Sequence, residues 1–427
     1  MTGYLNIKKL FINKVESPKE AQILFNRVKI LMVAPTPFFA DRGTHIRILE
    51  EALALEKIGH EITIATYHVG RDISSEVKTK IDVRRILRFL FWYKKLEAGP
   101  DWQKIILDLM LIRKAFFLAR IKKPDIIHGH LHEGVLIGWI VQKILFWRKM
   151  KLMADFHGSL TKEMISHSYL QGGMLKKIFQ SVENIIDNLG DFAITSSWEN
   201  TEEIKKIRRD GKVETIPDGV DLDYYRSLPA KMESKKELEL PLDKVGIVYT
   251  GALVPNKGIN YLIEAIPLAL KKNKNLFFII GGFPIEWVEK WRKKNQLENN
   301  VRLIHPLNYF DLPKILNASD MAIDPKDSTV GQASGKILQY MGAGLPIVCF
   351  DKSNNRQYLG DGAYYAKDFS AKGIAEGILE LADNSFLRAQ KGEINRERAE
   401  NFSWEKSAGK MEEIYKGLKK FTLLNKF

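Results

Sequence analysis

Short apolar, β-branched runs alternate along the chain with stretches whose hydrophobic residues recur every three to four positions. Parallel sheets covered by helices produce this alternation. A first series predicts strands over Val28–Val33, Glu61–Thr66, Asp125–His128, Lys151–Phe156, Phe192–Thr195 and Val213–Ile216, with helices such as Thr44–Ile58 and Asp101–Arg120 between them. A polar stretch rich in Lys and Glu, 226–244, interrupts the series. The pattern restarts with strands over Val245–Tyr249, Asn275–Ile280, Val301–His305, Met321–Asp324 and Pro346–Phe350. The expected fold is α/β: two doubly wound domains, 27–225 and 245–403, joined by a linker at 226–244. Residues 1–26 form an N-terminal extension without an assigned role, and 404–427 a helix able to cross back over the cleft to the first domain. Ligands of such sheets bind at the carboxyl ends of the strands, so a site between the halves draws on both.

Composition narrows this picture. With 427 residues, 45% hydrophobic and 28% charged, the chain is long enough for more than one core and is not of disordered composition. A single cysteine, Cys349, supplies neither a disulfide nor a cysteine zinc site, which favours a reducing, cytoplasmic setting. The formal charge is +14, and it is concentrated: from Ile81 to Lys151 fifteen basic residues face six acidic ones, net +9. Phe89, Phe91, Trp92, Trp102, Phe146 and Trp147 lie among them, a mixture suited to an anionic membrane surface more than to nucleic acid or plain solvent. The most apolar stretch, Gly134–Trp147, contains Gln142 and Lys143 and is too short to span a bilayer. The first 26 residues lack the apolar run and cleavage site of a signal peptide.

Candidate chemistry clusters after the predicted strands. A long loop leads from the first strand to Arg42-Gly43-Thr44, where helical spacing begins and glycine lets backbone N–H groups approach an anion. No G-x-G-x-x-G fingerprint is present, so nothing points to a nicotinamide cofactor. His157 follows the strand Lys151–Phe156, placed to meet a hydroxyl or developing charge. His128, His130 and His132 form an H-x-H-x-H run. With no cysteine or aspartate cluster nearby in sequence, this run argues against a metal. In the second half Gly251 precedes Lys257-Gly258 at a strand–loop–helix junction; a lysine there opposes the helix dipole unless it meets an anion such as a diphosphate. Ser334, Gly335, Lys336 and Gln339 open a further helix in the same manner, with Ser334 as N-cap and Lys336 as solvated side chain the plain alternatives.

In this order the motifs resemble the family-4, retaining, nucleotide-sugar glycosyltransferases of the GT-B class over roughly residues 28 to 420. The resemblance rests on Arg42-Gly43-Thr44, Pro124-Asp-Ile-Ile-His-Gly-His130, Phe156-His157-Gly158, Ile216-Pro-Asp-Gly-Val-Asp221, Gly251 to Gly258, Ser334 to Pro346 and Phe402-Ser-Trp404. It implies two Rossmann-like domains and a nucleoside diphosphate held mainly by the second, with Gly43 against the donor phosphates. It implies that His157 contacts the donor sugar, that Lys257 neutralises the diphosphate, and that no metal or cofactor is needed. Asp221-Leu-Asp223 then belongs to a turn and not to a metal site. Two features depart from the family pattern. Its E-x7-E glutamates are replaced by Gly331 and Gln339, and the arginine before its lysine by Ala252, with Arg356 as a substitute.

The expected function is retaining transfer of a sugar from a UDP- or GDP-sugar to a lipid-linked or glycan acceptor at the inner membrane face. His157 and Lys257 are the catalytic candidates. Gly43, Gly251, Lys257, Ser334, Gly335, Lys336 and Gln339 are the donor-side candidates, and Arg42, Thr44 and His132 the acceptor-side ones. A GT-B nucleotide-sugar epimerase, which needs a pair of well-placed acids, and a non-catalytic sugar- or nucleic-acid-binding protein are the rival readings.

Overall fold

The computed structural model describes residues 27–96, 101–166, 169–170, 173–327 and 334–424. Seven parallel strands make the first sheet: β1 (Lys29–Ala34), β2 (Glu61–Thr66), β3 (Asp82–Arg85), β4 (Ile126–His130), β5 (Lys151–Phe156), β6 (Phe192–Thr195) and β7 (Val213–Thr215), in the order β3-β2-β1-β4-β5-β6-β7. Six more make the second: β8 (Val245–Ala252), β9 (Leu276–Phe283), β10 (Val301–Ile304), β11 (Met321–Asp324), β12 (Ile347–Phe350) and β13 (Ala363–Ala366), ordered β10-β9-β8-β11-β12-β13. Both sheets carry helices on both faces, which is why β1 and β11 read as unbroken apolar runs and are buried almost throughout.

The helices that position the site are, in the first domain, α1 (Gly43–Lys57), α2 (Gln103–Lys122), α3 (Leu131–Ile144), α4 (Leu160–Ser166) and α5 (Gly173–Asp187). Beyond it they are α6 (Ile259–Lys272), α7 (Gly335–Gly342) and α8 (Trp404–Leu424). The two-domain α/β expectation holds, and two strands are added to it. β3 and β13 are sheet edges, short and only partly buried, so they carry little apolar signal.

The polar stretch 226–244 contains the helix Lys231–Glu237, whose buried Lys235 donates to Asp320 Oδ2 (2.9 Å) and Lys244 O (3.1 Å). At the far end the chain crosses to the first domain beside Val220, which bridges Ser403, and α8 then packs on α1, with Tyr415 Oη 2.8 Å from His128 Nδ1. In each sheet the strand order reverses beside the first strand, between β1 and β4 and between β8 and β11. Crevices open at such reversals, outside the carboxyl ends of the strands.

The two domains also meet directly. Tyr309 N donates to Asp41 Oδ1 (2.8 Å), and Arg71 lies over the rings of Phe39 and Phe310. Glu50 of α1 is buried at this contact, where burial, with Asp221 adding to it, pushes its carboxyl up from 4.5 to about 8 against the influence of the Tyr309 and Tyr224 hydroxyls. Folded Glu50 therefore keeps a proton that the unfolded chain has released above 4.5. This stabilising contribution is complete below 4.5 and is lost as pH rises through about 8. Glu50→Gln should remove that slope, so its melting temperature should hold from pH 5 to pH 8 better than that of the wild type. Parallel melting-temperature curves across this window would refute the assignment.

Candidate active site

Asp155 stands near the end of β5 and is fully buried among positive and polar groups. Its carboxylate accepts from Arg47 Nε and Nη2 (both 3.1 Å), from His157 Nε2 (3.1 Å) and from His130 Nδ1 (3.0 Å). Burial alone would raise its pKa; the Arg47 guanidinium, followed by His157, holds it well below the usual carboxylate range. Arg47 also donates to Ile216 O (3.1 Å) and Asp218 Oδ1 (2.9 Å), and lies 2.9 Å from Glu51 Oε1 as an ion pair without hydrogen-bond geometry. Burial pushes Glu51 well above the carboxylate range, against the pull of Arg47. Asp155 thereby fixes the His157 ring by accepting from its Nε2.

The three histidines of the H-x-H-x-H run separate. His128 and His130 stack at 4.3 Å and share the Asp155 network. Side-chain ligand atoms of Glu51, His128, His130 and Asp155 lie within 4.8 Å of one another, so the fold does assemble the carboxylates that are absent locally in the sequence. A metal there would have to displace Arg47, which already lies against both carboxylates. His132 does not line the acceptor side. Its ring is buried against Phe156, with Nε2 3.3 Å from Asp187 Oδ1 and 3.7 Å from Glu183 Oε1 of α5. Burial lowers its pKa, but the two carboxylates outweigh this and raise it, so His132 fastens α3 to α5. These three residues form a second group within metal-ligand reach of one another.

Helix α1 begins at Gly43 with Arg42 as N-cap. No side chain caps it, no acid lies in its first turn, and the space around Gly43 is open. Uncapped terminal N–H groups with open space beside Gly43 are what an anion site requires. Arg42 donates to Leu96 O (2.6 Å), and His45, kept neutral by a pKa of about 3 through burial, lies 2.5 Å from Thr36 Oγ1.

Opposite stands the second domain. Ser334 is the N-cap of α7, but its hydroxyl does not cap, and the first turn again lacks an acid. A Cβ on Gly335 would lie 2.8 Å from Asp218 Oδ2, so this helix start abuts the first domain. Lys336 reaches Asp324 Oδ1 at 3.2 Å, sits 4.0 Å over the Tyr249 ring, and passes 3.7 Å from where a Cβ on Gly251 would be. Lys257 lies in the turn before α6. Burial and Lys336 lower its pKa, while Glu163 of α4 and Asp324 oppose them, and Arg42 is close enough to act on it as well. Charged groups of both domains thus act on Lys257.

Gln339 is buried, and its Oε1 accepts from Tyr225 Oη (2.9 Å). Arg356 does not substitute for the missing arginine. It is held by Asp351 through two 2.7 Å hydrogen bonds and stacked on Tyr365. Gly331 lies outside the described residues. Arg47, Asp155 and Asp324 escape sequence reasoning. Their one mark is a charge inside an otherwise apolar strand or helix face, as in Lys-Leu-Met-Ala-Asp155-Phe and Met-Ala-Ile-Asp324.

Comparison with known proteins agrees with this geometry. Residues 42–224 match the family described as Glycosyltransferase Family 4, and residues 230–398 match Glycosyl transferases group 1. A D-inositol 3-phosphate glycosyltransferase of Corynebacterium glutamicum is 23% identical over 404 residues, covering 87% of this chain and 91% of that protein. Sucrose-phosphate synthase of Thermosynechococcus elongatus superposes with a TM-score of 0.74 at 16% identity, over 92% of this chain and 99% of that one. Anabaena Alr3699/HepE in complex with UDP-glucose superposes with a TM-score of 0.71 at 16% identity, over 91% of this chain and all of that one. Two matched domains in this order, on two parallel sheets that meet at a shared crevice, make the chain a GT-B glycosyltransferase, a member of the family that joins a Family 4 domain to a group 1 domain.

Proposed function

We propose that the protein transfers a sugar, with retention at the anomeric carbon, from a UDP- or GDP-sugar to a lipid-linked acceptor or growing glycan at the cytoplasmic face of an anionic membrane. What supports this reading is that the uncapped start of α7 abuts Asp218, which Arg47 joins to Asp155 and so to His157, while first-domain Glu163 and Arg42 act on Lys257. Lysine and helix-terminal amides are suited to stabilise a leaving diphosphate without a divalent ion, because they are fixed before the charge develops. Held in place by Asp155, the His157 ring would meet a hydroxyl of the donor sugar and help position the anomeric carbon. An epimerase gains no support: of the crevice acids, Asp324 is paired with Lys336, and Asp155 and Asp218 with Arg47.

Membrane attachment is supported by one face of the first domain. Among the described residues no helix is long and apolar enough to cross a membrane. Yet α2 exposes Trp102, Ile105, Leu109 and Ile121 beside Arg113 and Arg120, and at the end of α3 Phe146 and Trp147 are 73% and 58% exposed. On α5, Ile178 and Ile185 are likewise exposed near Lys176 and Lys177. Such a face suits the interface of an anionic bilayer.

Titrating UDP, GDP, ADP and their sugar conjugates against the purified chain tests the donor. One nucleotide series should raise the melting temperature, and turnover with an acceptor should release its diphosphate in the presence of EDTA. Indifference to every nucleotide diphosphate would end the proposal. Co-sedimentation with phosphatidylglycerol vesicles, lost on Phe146→Ser with Trp147→Ser, tests the membrane face; equal sedimentation of both proteins would remove it.

A further inference from the structure

Strand β11 ends at the fully buried Asp324, and Pro325 and Lys326 follow directly. The turn carrying Lys257 presses onto this segment. A Cβ on Gly258, which has φ 77°, would stand 1.8 Å from Pro325 O and 3.0 Å from Lys326 N, so Lys257 and Lys326 leave neighbouring backbones. Lys336 enters from α7 and reaches Asp324 at 3.2 Å. Lys326 is only 5% exposed, and an ammonium so placed is costly unless opposite charge surrounds it.

Lys257, Lys336, Lys352 and Asp324 are the charged groups that act on Lys326. Lys352 has Glu199 and Asp327 as further counter-charges, while Arg42 and Glu163, both acting on Lys257, offset each other. Lys257 and Lys336, joined by Lys326 once it is protonated, gather beside the Asp324 carboxylate, and their positive charge is opposite in sign to an esterified diphosphate.

We propose that Lys326 is a third donor-binding cation which, with Lys257 and Lys336, encloses the diphosphate of the nucleotide sugar. This rests on the reading of the crevice as a nucleotide-sugar site. Burial and then Lys257 depress the Lys326 pKa far below the lysine range. A diphosphate in contact restores it, so binding takes up a proton from solvent.

The test is isothermal titration of UDP and GDP, and of UMP and GMP, into the full chain in buffers of different ionisation enthalpy. Lys326→Met should weaken the diphosphate by about ten-fold or more while changing the monophosphate less than about two-fold. Lys326→Arg should recover most of the loss, and the proton uptake seen with the wild type should vanish in Lys326→Met. Equal diphosphate affinity in the two proteins, or no proton uptake by the wild type, overturns the proposal. Should Lys326→Met fail to fold, Lys326→Arg and the wild-type proton uptake decide alone. If the wild type binds no nucleotide diphosphate, the donor-site reading itself falls, and this proposal with it.

Discussion

Replacing Lys257 with alanine should lower kcat/KM for the nucleotide sugar by roughly 10²–10³-fold, the scale of losing one preorganised donor to a developing anion. Partly buried between Arg42, Lys336, Glu163 and Asp324, this ammonium works where water screens little, so its contact to a leaving diphosphate is strong. The loss should fall mainly on kcat, because negative charge on the leaving oxygen grows toward the transition state. Lys257→Arg should retain part of the rate if it still reaches. Steady-state kinetics with the donor identified by nucleotide titration provides the measurement. A kcat within about three-fold of wild type would show that Lys257 does not touch the reacting phosphate.

Arg47→Met should destabilise the fold by about 3–5 kcal/mol, because it strips the guanidinium from the buried Asp155 carboxylate and from Asp218 at once. Asp155 has two further hydrogen bonds, from His130 and His157, but neither replaces the two-pronged guanidinium. The pH dependence follows from the depressed pKa of folded Asp155. Its contribution is complete above the ordinary value of 3.8 and lost as pH falls through the folded value. The gap between wild type and Arg47→Met should therefore be widest near neutrality and close on acidification below about 4. Denaturant unfolding at a series of pH values measures this. A gap below about 1 kcal/mol at pH 7 would mean that the network contributes little to stability.

The layering of the fold is legible because strands buried on both faces, such as Lys-Ile-Leu-Met-Val-Ala at β1, must be apolar throughout. Edge strands escape this demand, so Asp82–Arg85 carries no such mark. The second-domain site can be read locally, since Gly258 is required by the backbone beside it and announces the turn that carries Lys257. The first-domain network cannot: Arg47 meets Asp155 across 108 residues, and only the folded sheet brings them together. His132 misleads for the same reason. Its partners Glu183 and Asp187 lie some fifty residues on, and they turn what reads as a cleft residue into an anchor.

The polypeptide passes between the two halves twice, once after Val220 and once at Ser403, and these two passages lie side by side. Two adjacent tethers define an axle, whereas a single one would allow swivelling in every direction. Any swing of the halves about it would be like that of the covers of a book, without a twist of one past the other. Lys257 and His157 would then keep one alignment.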